Sequence, residues 1–203
     1  MKILHVDSSI NLEASVSRRL SRAIVDRLRA LHTDAEVVSR DLAADPLPYF
    51  DAASLGGLGV SPGPHDDVPE AEARLDARIL AEFVDAQIIV VGVPMYNFGI
   101  PAQLKSWIDY LSIAGVTFRY TAEGPEGLAG GRRVILASAR GGTYPAGTPR
   151  AAVEHQESYL QAVFAFFGIT DIDVVRAEGV RMGPDAATAA IAGAEAEIAA
   201  LEH

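Results

Sequence analysis

Apolar residues in this chain fall into short β-branched runs separated by stretches in which they recur at helical spacing. Lys2 to Asp7 reads as a first strand, and Leu20, Ile24, Leu28 and Leu31 mark a helix beginning soon after Ser17. Glu36 to Arg40 alternates as an edge strand, and Ala71 to Phe83, with Leu75, Ile79 and Leu80, reads as a second helix. Ile88 to Val93 is apolar without alternation, the pattern of a strand buried on both faces of a parallel sheet, so it is expected at the centre. Leu104, Trp107, Ile108 and Leu111 give a third helix, and Arg132 to Ser138 a further buried strand. Ala151 to Phe167 reads as a helix with Val153, Leu160, Val163, Phe164 and Phe167 on its apolar side; Ile172 to Val175 is the last strand and Pro184 to Ala200 an alanine-rich closing helix. Strands and helices alternate from end to end. That pattern predicts an α/β fold with a doubly wound five-stranded parallel sheet, order 2-1-3-4-5, and helices on both faces.

In such sheets ligands bind at the carboxyl ends of the strands, where the order reverses, so the loops after the first, third and fourth strands matter most. After the central strand, Pro94 cannot donate to a ladder and Pro101 suits the first turn of a helix. Between them Met95, Tyr96, Asn97, Phe98 and Gly99 form a platform for a flat ring. The loop after the first strand, Ser8 to Arg18, contains no glycine, so it is neither a dinucleotide fingerprint nor an ATP-binding P-loop. It is rich in hydroxyls instead. A monophosphate at a helix N-terminus can use backbone N–H groups, hydroxyls and the helix dipole, and Ser9, Ser15, Ser17 and Arg18 are candidates for that cradle. The plainer alternative makes Ser15 or Ser17 an ordinary N-cap and Arg18, Arg19 and Arg22 a solvated face. After the fourth strand, Gly141 and Gly142 allow close approach of backbone N–H groups to a ligand, or form a mere turn. Val116 to Tyr120 alternates and leads to a turn around Pro125; Tyr120 either approaches the ligand or covers the hairpin. The Pro-, Gly- and Asp-rich stretch from Ala44 to Pro69 is expected to be a lid or a dimer contact.

With 203 residues and 49% hydrophobic composition, residues 1–200 suffice for one domain, and Leu201 to His203 carry no weight, being a possible tag remnant. A net charge of -10 argues against nucleic acid and anionic membrane as partners, so an anionic cofactor must be held locally. No cysteine is present, which removes thiol chemistry and Cys-ligated metal; any redox chemistry belongs to a bound cofactor. No charged leader with an apolar core precedes the first strand and no apolar run approaches membrane-spanning length, so a cytoplasmic location is expected. No acid/base dyad or metal site is visible, and the scattered histidines are assigned to surface or packing.

Pro94-Met95-Tyr96-Asn97-Phe98, followed by Pro101, Leu104-Lys105 and Asp109, resembles the flavin loop of flavodoxin-like NAD(P)H-dependent reductases, in particular the FMN-dependent NADH:azoreductases and quinone reductases. The resemblance extends over Asp41-Leu42-Ala43, Ala114 to Tyr120, Gly124 to Leu128, Arg140-Gly141-Gly142 and Gly168 to Asp171, nearly the whole chain. It implies that Ser9, Ser15, Val16, Ser17, Met95, Tyr96, Asn97, Phe98, Ala139, Arg140, Gly141 and Gly142 hold FMN, with Tyr120 a possible substrate contact. Relatives commonly carry serine where Ala139 stands, so a hydroxyl there is lost or must come from Ser138. The implied activity is two-electron, ping-pong hydride transfer from NADH, through flavin N5, to a quinone or azo acceptor in a homodimer. Phe164 and Phe167, with residues 52–69, are expected to complete the pocket's second wall or an isologous contact, if they are not core. The rivals are a flavodoxin-type single-electron carrier, a general NAD(P)H:FMN reductase and a flavin-free interaction module.

Overall fold

The structure, a computed structural model, describes residues 1–50 and 70–202, and for residues 70–76 the backbone alone. The strands are β1 (Lys2–Asp7), β2 (Glu36–Asp41), β3 (Ile88–Pro94), β4 (Phe118–Thr121), β5 (Gly124–Gly127), β6 (Arg133–Arg140) and β7 (Asp171–Glu178). The helices are α1 (Val16–Leu31), α2 (Glu70–Asp85), α3 (Ala102–Leu111), α4 (Glu157–Phe166) and α5 (Pro184–Ala199). A parallel sheet runs β2-β1-β3-β6-β7, the expected order, with β4 and β5 a separate antiparallel hairpin.

Every residue of β3 is buried, because side chains of both parities meet helices. Ile89, Val91 and Val93 join Val134 and Leu136 of β6 under α2, α3 and α4, where Trp107 packs edge to face with Phe83, and Phe83 and Phe164 do so with Phe167. Ile88 and Val90 join Ile135 and Ala137 under α1 and α5, through Leu20, Ile24, Leu28 and Ile198. Burying each such aliphatic side chain contributes about 2 kcal/mol, so these two layers fix the height of the strand ends at which a ligand can sit. Phe164 and Phe167 are fully buried here, so they are core and neither wall a pocket nor face a partner. Among the described residues no helix is long and apolar enough to cross a membrane.

Several boundaries differ from the expectation, β7 among them, which runs beyond Val175 to Glu178, and three of the differences have a local cause. β6 and β7 stay paired as far as Ala139↔Ala177 and Arg140↔Glu178, so Ala139 and Arg140 belong to the strand and not to the loop after it. The helix expected from Ala151 begins only at Glu157, because the Glu154 carboxylate accepts the N–H groups of Gln156, Glu157 and Ser158 and caps it there. Pro125 lies in β5 opposite Tyr120, with the turn at Ala122 and Glu123; a proline is tolerated on this edge strand. The hairpin is seated on the body at Gly127, where a Cβ would stand 2.1 Å from the Gly168 nitrogen, so no larger residue fits. The expected lid or contact at residues 52–69 lies outside the described residues.

Candidate functional site

The carboxyl ends of β1, β3, β6 and β7 open into one cleft of about 830 Å³, of a size usual for a cofactor. Its lining brings together Ser9, Ser15, Val16, Ser17, Met95, Tyr96, Asn97, Phe98, Ala139, Gly141 and Gly142, but not the expected Arg18, Tyr120 and Arg140.

At the β1 end, Ser15 is the N-cap of α1 and its Oγ accepts the Arg18 N–H at 3.3 Å. Ser17 lies in the first turn, fully buried, with its Oγ 3.1 Å from Ser15 Oγ. Capping and cradle are therefore compatible. Two hydroxyls that bond each other use one of their two protons, which leaves one to donate into the cleft beside the first N–H groups of α1, which have no intrahelical acceptor. This donor set, at the positive end of a 16-residue helix, fits a terminal monophosphate.

Arg18 plays a different part from the one expected of it. Its guanidinium turns from the cleft and is buried, donating from Nε and Nη2 to the Ser9 carbonyl at 3.0 and 2.9 Å and pairing in two-pronged fashion with Asp41 at 2.6 Å. Asp7 lies 3.6 Å away on the other side, beneath Gly92, where a Cβ would come within 2.4 Å of its carboxylate. Arg18 thus holds the main chain of the hydroxyl-rich loop and is not among the residues that line the cleft. The Arg18 hydrogen bonds hold Asp41 down at about 2, below its unfolded value, so its stabilisation is full above about pH 4 and is lost as pH falls towards 2. With a third of the carboxylate in water, that amounts to about 1 kcal/mol after discounting for solvent. The stability difference between the wild type and Asp41→Asn in urea should therefore shrink between pH 6 and pH 3. An unchanged difference would detach the shift from this ion pair.

At the centre, Tyr96 and Gly99 exchange backbone hydrogen bonds at 2.9 and 3.1 Å around Asn97 and Phe98, which have φ of 48° and 73°. Both central residues of this two-residue turn are left-handed, as a type I′ turn requires, and neither is glycine. Such conformations persist where surroundings over-determine them, commonly at ligand sites. Here Met95 N–H donates to the Ala139 carbonyl at 2.8 Å and the Phe98 carbonyl accepts from His155 N–H at 2.9 Å. Phe98, 49% exposed, lays its ring edge to face against Tyr144. The Tyr96 hydroxyl lies 3.3 Å from Ser9 Oγ and accepts the Ile10 N–H at 3.2 Å, tying the first loop to the second.

At the β6 end, Ala139, Gly141 and Gly142 line the cleft, but the side chains of Ser138 and Arg140 turn to Gln156 and the carboxylates around α4. Ser138 Oγ donates to Gln156 Oε1 at 3.3 Å, so it supplies no hydroxyl in place of the one Ala139 lacks. Arg140, almost fully buried, donates from Nε to Gln156 Oε1 at 2.9 Å and lies 3.1, 2.8 and 3.6 Å from Glu154, Glu157 and Glu178. Burial alone would raise the Glu157 carboxyl, yet hydrogen bonds from Arg176 and the charge of Arg140 hold it below its ordinary value. Tyr120 is 76% exposed on the hairpin against Phe118 and is not among the lining residues. Sequence reasoning missed Tyr144, Val180 and Arg181 as lining residues. The alternation of buried Val175 and Ala177 with Arg176 and Glu178 was the available signal, since it carries β7 up to the cleft.

The model of the flavodoxin-like fold family matches residues 1–201 of the chain. An FMN-dependent NADH:quinone oxidoreductase of Rhizobium meliloti (strain 1021) is 53% identical over 199 residues, covering 98% of this chain and 96% of that protein. The crystal structure of an azoreductase from Bacillus anthracis str. Sterne superposes with a TM-score of 0.87 at 36% identity, covering 98% of this chain and 97% of the other. An FMN-dependent NADH-azoreductase from Bacillus anthracis str. Ames Ancestor, solved in complex with FMN, gives 0.86 at 29% identity, covering 97% and 95%.

Proposed function

We propose, from the premise that the chain belongs to the flavodoxin-like fold family, that it is an FMN-dependent oxidoreductase using NADH to reduce quinones and aromatic azo compounds. The observation that carries this reading is one cleft with a hydroxyl-lined helix N-terminus at one end and a left-handed Asn97-Phe98 turn over the central strand at the other. FMN, when bound, supplies the two-electron chemistry, so the protein needs no acid/base pair of its own.

The side chains bind and orient. Ser15 and Ser17, with the first N–H groups of α1, would hold the phosphate, and Ser9, held through Arg18, would border it. Tyr96, Asn97 and Phe98 would lie along the ring system, with the backbone of Gly141 and Gly142 against its far edge. Phe98 and Tyr144 pack edge to face beside the cleft and would keep water from part of a bound ring, leaving the rest of the cleft for substrate.

With one open side, the nicotinamide and the acceptor must use the same place in turn, so a ping-pong scheme is proposed. The active form is proposed to be a cytoplasmic homodimer. The resemblance supports this, as do the apolar groups the hairpin region leaves exposed, Val116, Tyr120, Leu128 and Phe166, beside Phe118. The enzyme reconstituted with FMN should give parallel double-reciprocal plots against NADH at several quinone concentrations and should sediment as a dimer. Intersecting lines would require a ternary complex, a fully active monomer would remove the dimer, and very slow reduction by NADH would favour a single-electron carrier.

A further inference from the structure

Among the residues lining the cleft, Arg181 is the one that carries a formal charge. It follows β7, at the far end from the serines, and its backbone N–H donates to the Gly141 carbonyl at 3.1 Å. Its aliphatic carbons lie along Gly141, 3.4 to 3.5 Å from where a Cβ on that residue would stand, so the stem is laid down on the cleft wall. The residue is exposed, and its guanidinium makes no hydrogen bond or ion pair among the described residues. Arg18, Arg40, Arg140 and Arg176, by contrast, are each committed to carboxylates. On a chain with net charge -10, a cation at the mouth of the cleft that is unpaired among the described residues is a local attraction for anions in a repelling field.

The anion concerned is not the one the serines fit. The serines lie over β3, the Ser17 carbonyl oxygen being 3.4 Å from where a Cβ on Gly92 would stand, and two strand spacings, roughly 10 Å, separate β3 from β7, which Arg181 follows. A monophosphate held by Ser15 and Ser17 is therefore out of reach of Arg181. A reduced nicotinamide ring is uncharged, and the negative charge of the dinucleotide resides on its pyrophosphate, which must lie towards solvent when the ring is in the cleft.

We propose that Arg181 forms an anion subsite at the mouth of the cleft and pairs with the pyrophosphate of NADH, an inference that rests on the function proposed above. The contact is exposed and so of modest strength, and it fades with salt.

The test compares NADH with N-benzyl-1,4-dihydronicotinamide, a hydride donor with the same ring and no phosphate, on FMN-loaded wild type, Arg181→Gln and Arg181→Lys over a range of ionic strength. In Arg181→Gln the KM for NADH should rise roughly fivefold with a far smaller change in kcat, and its salt dependence should flatten. The dissociation constant of NAD, read from flavin fluorescence without turnover, should rise by a similar factor. The KM for the neutral donor should stay, the flavin potential should stay, and Arg181→Lys should retain most of the affinity for NADH. Equal changes for both donors, a shifted flavin potential, or no change with either donor would overturn the subsite while leaving the proposed function standing. A wild type that is not reduced by NADH would overturn the function first, and the subsite with it.

Discussion

Ser17→Ala is expected to weaken FMN binding roughly 10- to 100-fold, the consequence of losing one hydrogen bond to a charged group, worth ~1.5 to 3 kcal/mol. The residue is fully buried, and its side chain has one protein partner, Ser15 Oγ at 3.1 Å. The cap itself stays, since the Arg18 N–H bonds to Ser15. Ser15→Ala should match the loss of affinity and add a loss of stability of about 1 kcal/mol, because it removes the N-cap of α1 as well. Titration of the apoprotein with FMN, alongside urea unfolding without it, separates the two effects. Unchanged FMN affinity in both variants would mean that the phosphate does not sit at this helix. FAD offers a further control: a cradle built for a terminal monophosphate should bind it less tightly.

Most of the fold was legible because buried parallel strands and amphipathic helices follow from local pattern. The all-buried β3 and the alternating β2 needed nothing beyond their own residues. The cleft's floor was legible for a related reason: hydroxyls before a helix, and Asn97 and Phe98 between two prolines, announce chemistry at known strand ends. Side-chain direction was not. Whether a guanidinium faces a ligand or a carboxylate depends on partners distant in sequence, such as Asp41 for Arg18 and Glu157 for Arg140, and no local spacing records them. The same holds for Phe164 and Phe167, whose helical spacing is equally that of a core and of an interface until Phe83 is seen against Phe167.

Arg140 gives the largest expected loss of stability. Its resemblance to a flavin-loop arginine would make its removal a cofactor-binding defect, but its guanidinium lies among Glu154, Glu157, Glu178 and Gln156, behind the cleft wall. Removing one partner from such a cluster leaves buried carboxylates unpaired, a defect of about 3 to 5 kcal/mol, much more than an exposed pair contributes. Arg176 still pairs with both oxygens of Glu157, so the defect falls on Glu154 and Glu178, with which it makes no ion pair among the described residues. Glu154 also caps α4, and Glu178 accepts the Tyr144 N–H, so the disturbance should spread to the aromatic wall beside Phe98. Arg140→Met should accordingly lower the unfolding free energy of the apoprotein by about 3 to 5 kcal/mol. Arg140→Lys, with the charge but not the planar fork, should recover only part of that loss. Both should be measured by urea unfolding before FMN is added. An apoprotein as stable as the wild type that nonetheless fails to bind FMN would return Arg140 to the cofactor and refute its assignment to the ion cluster.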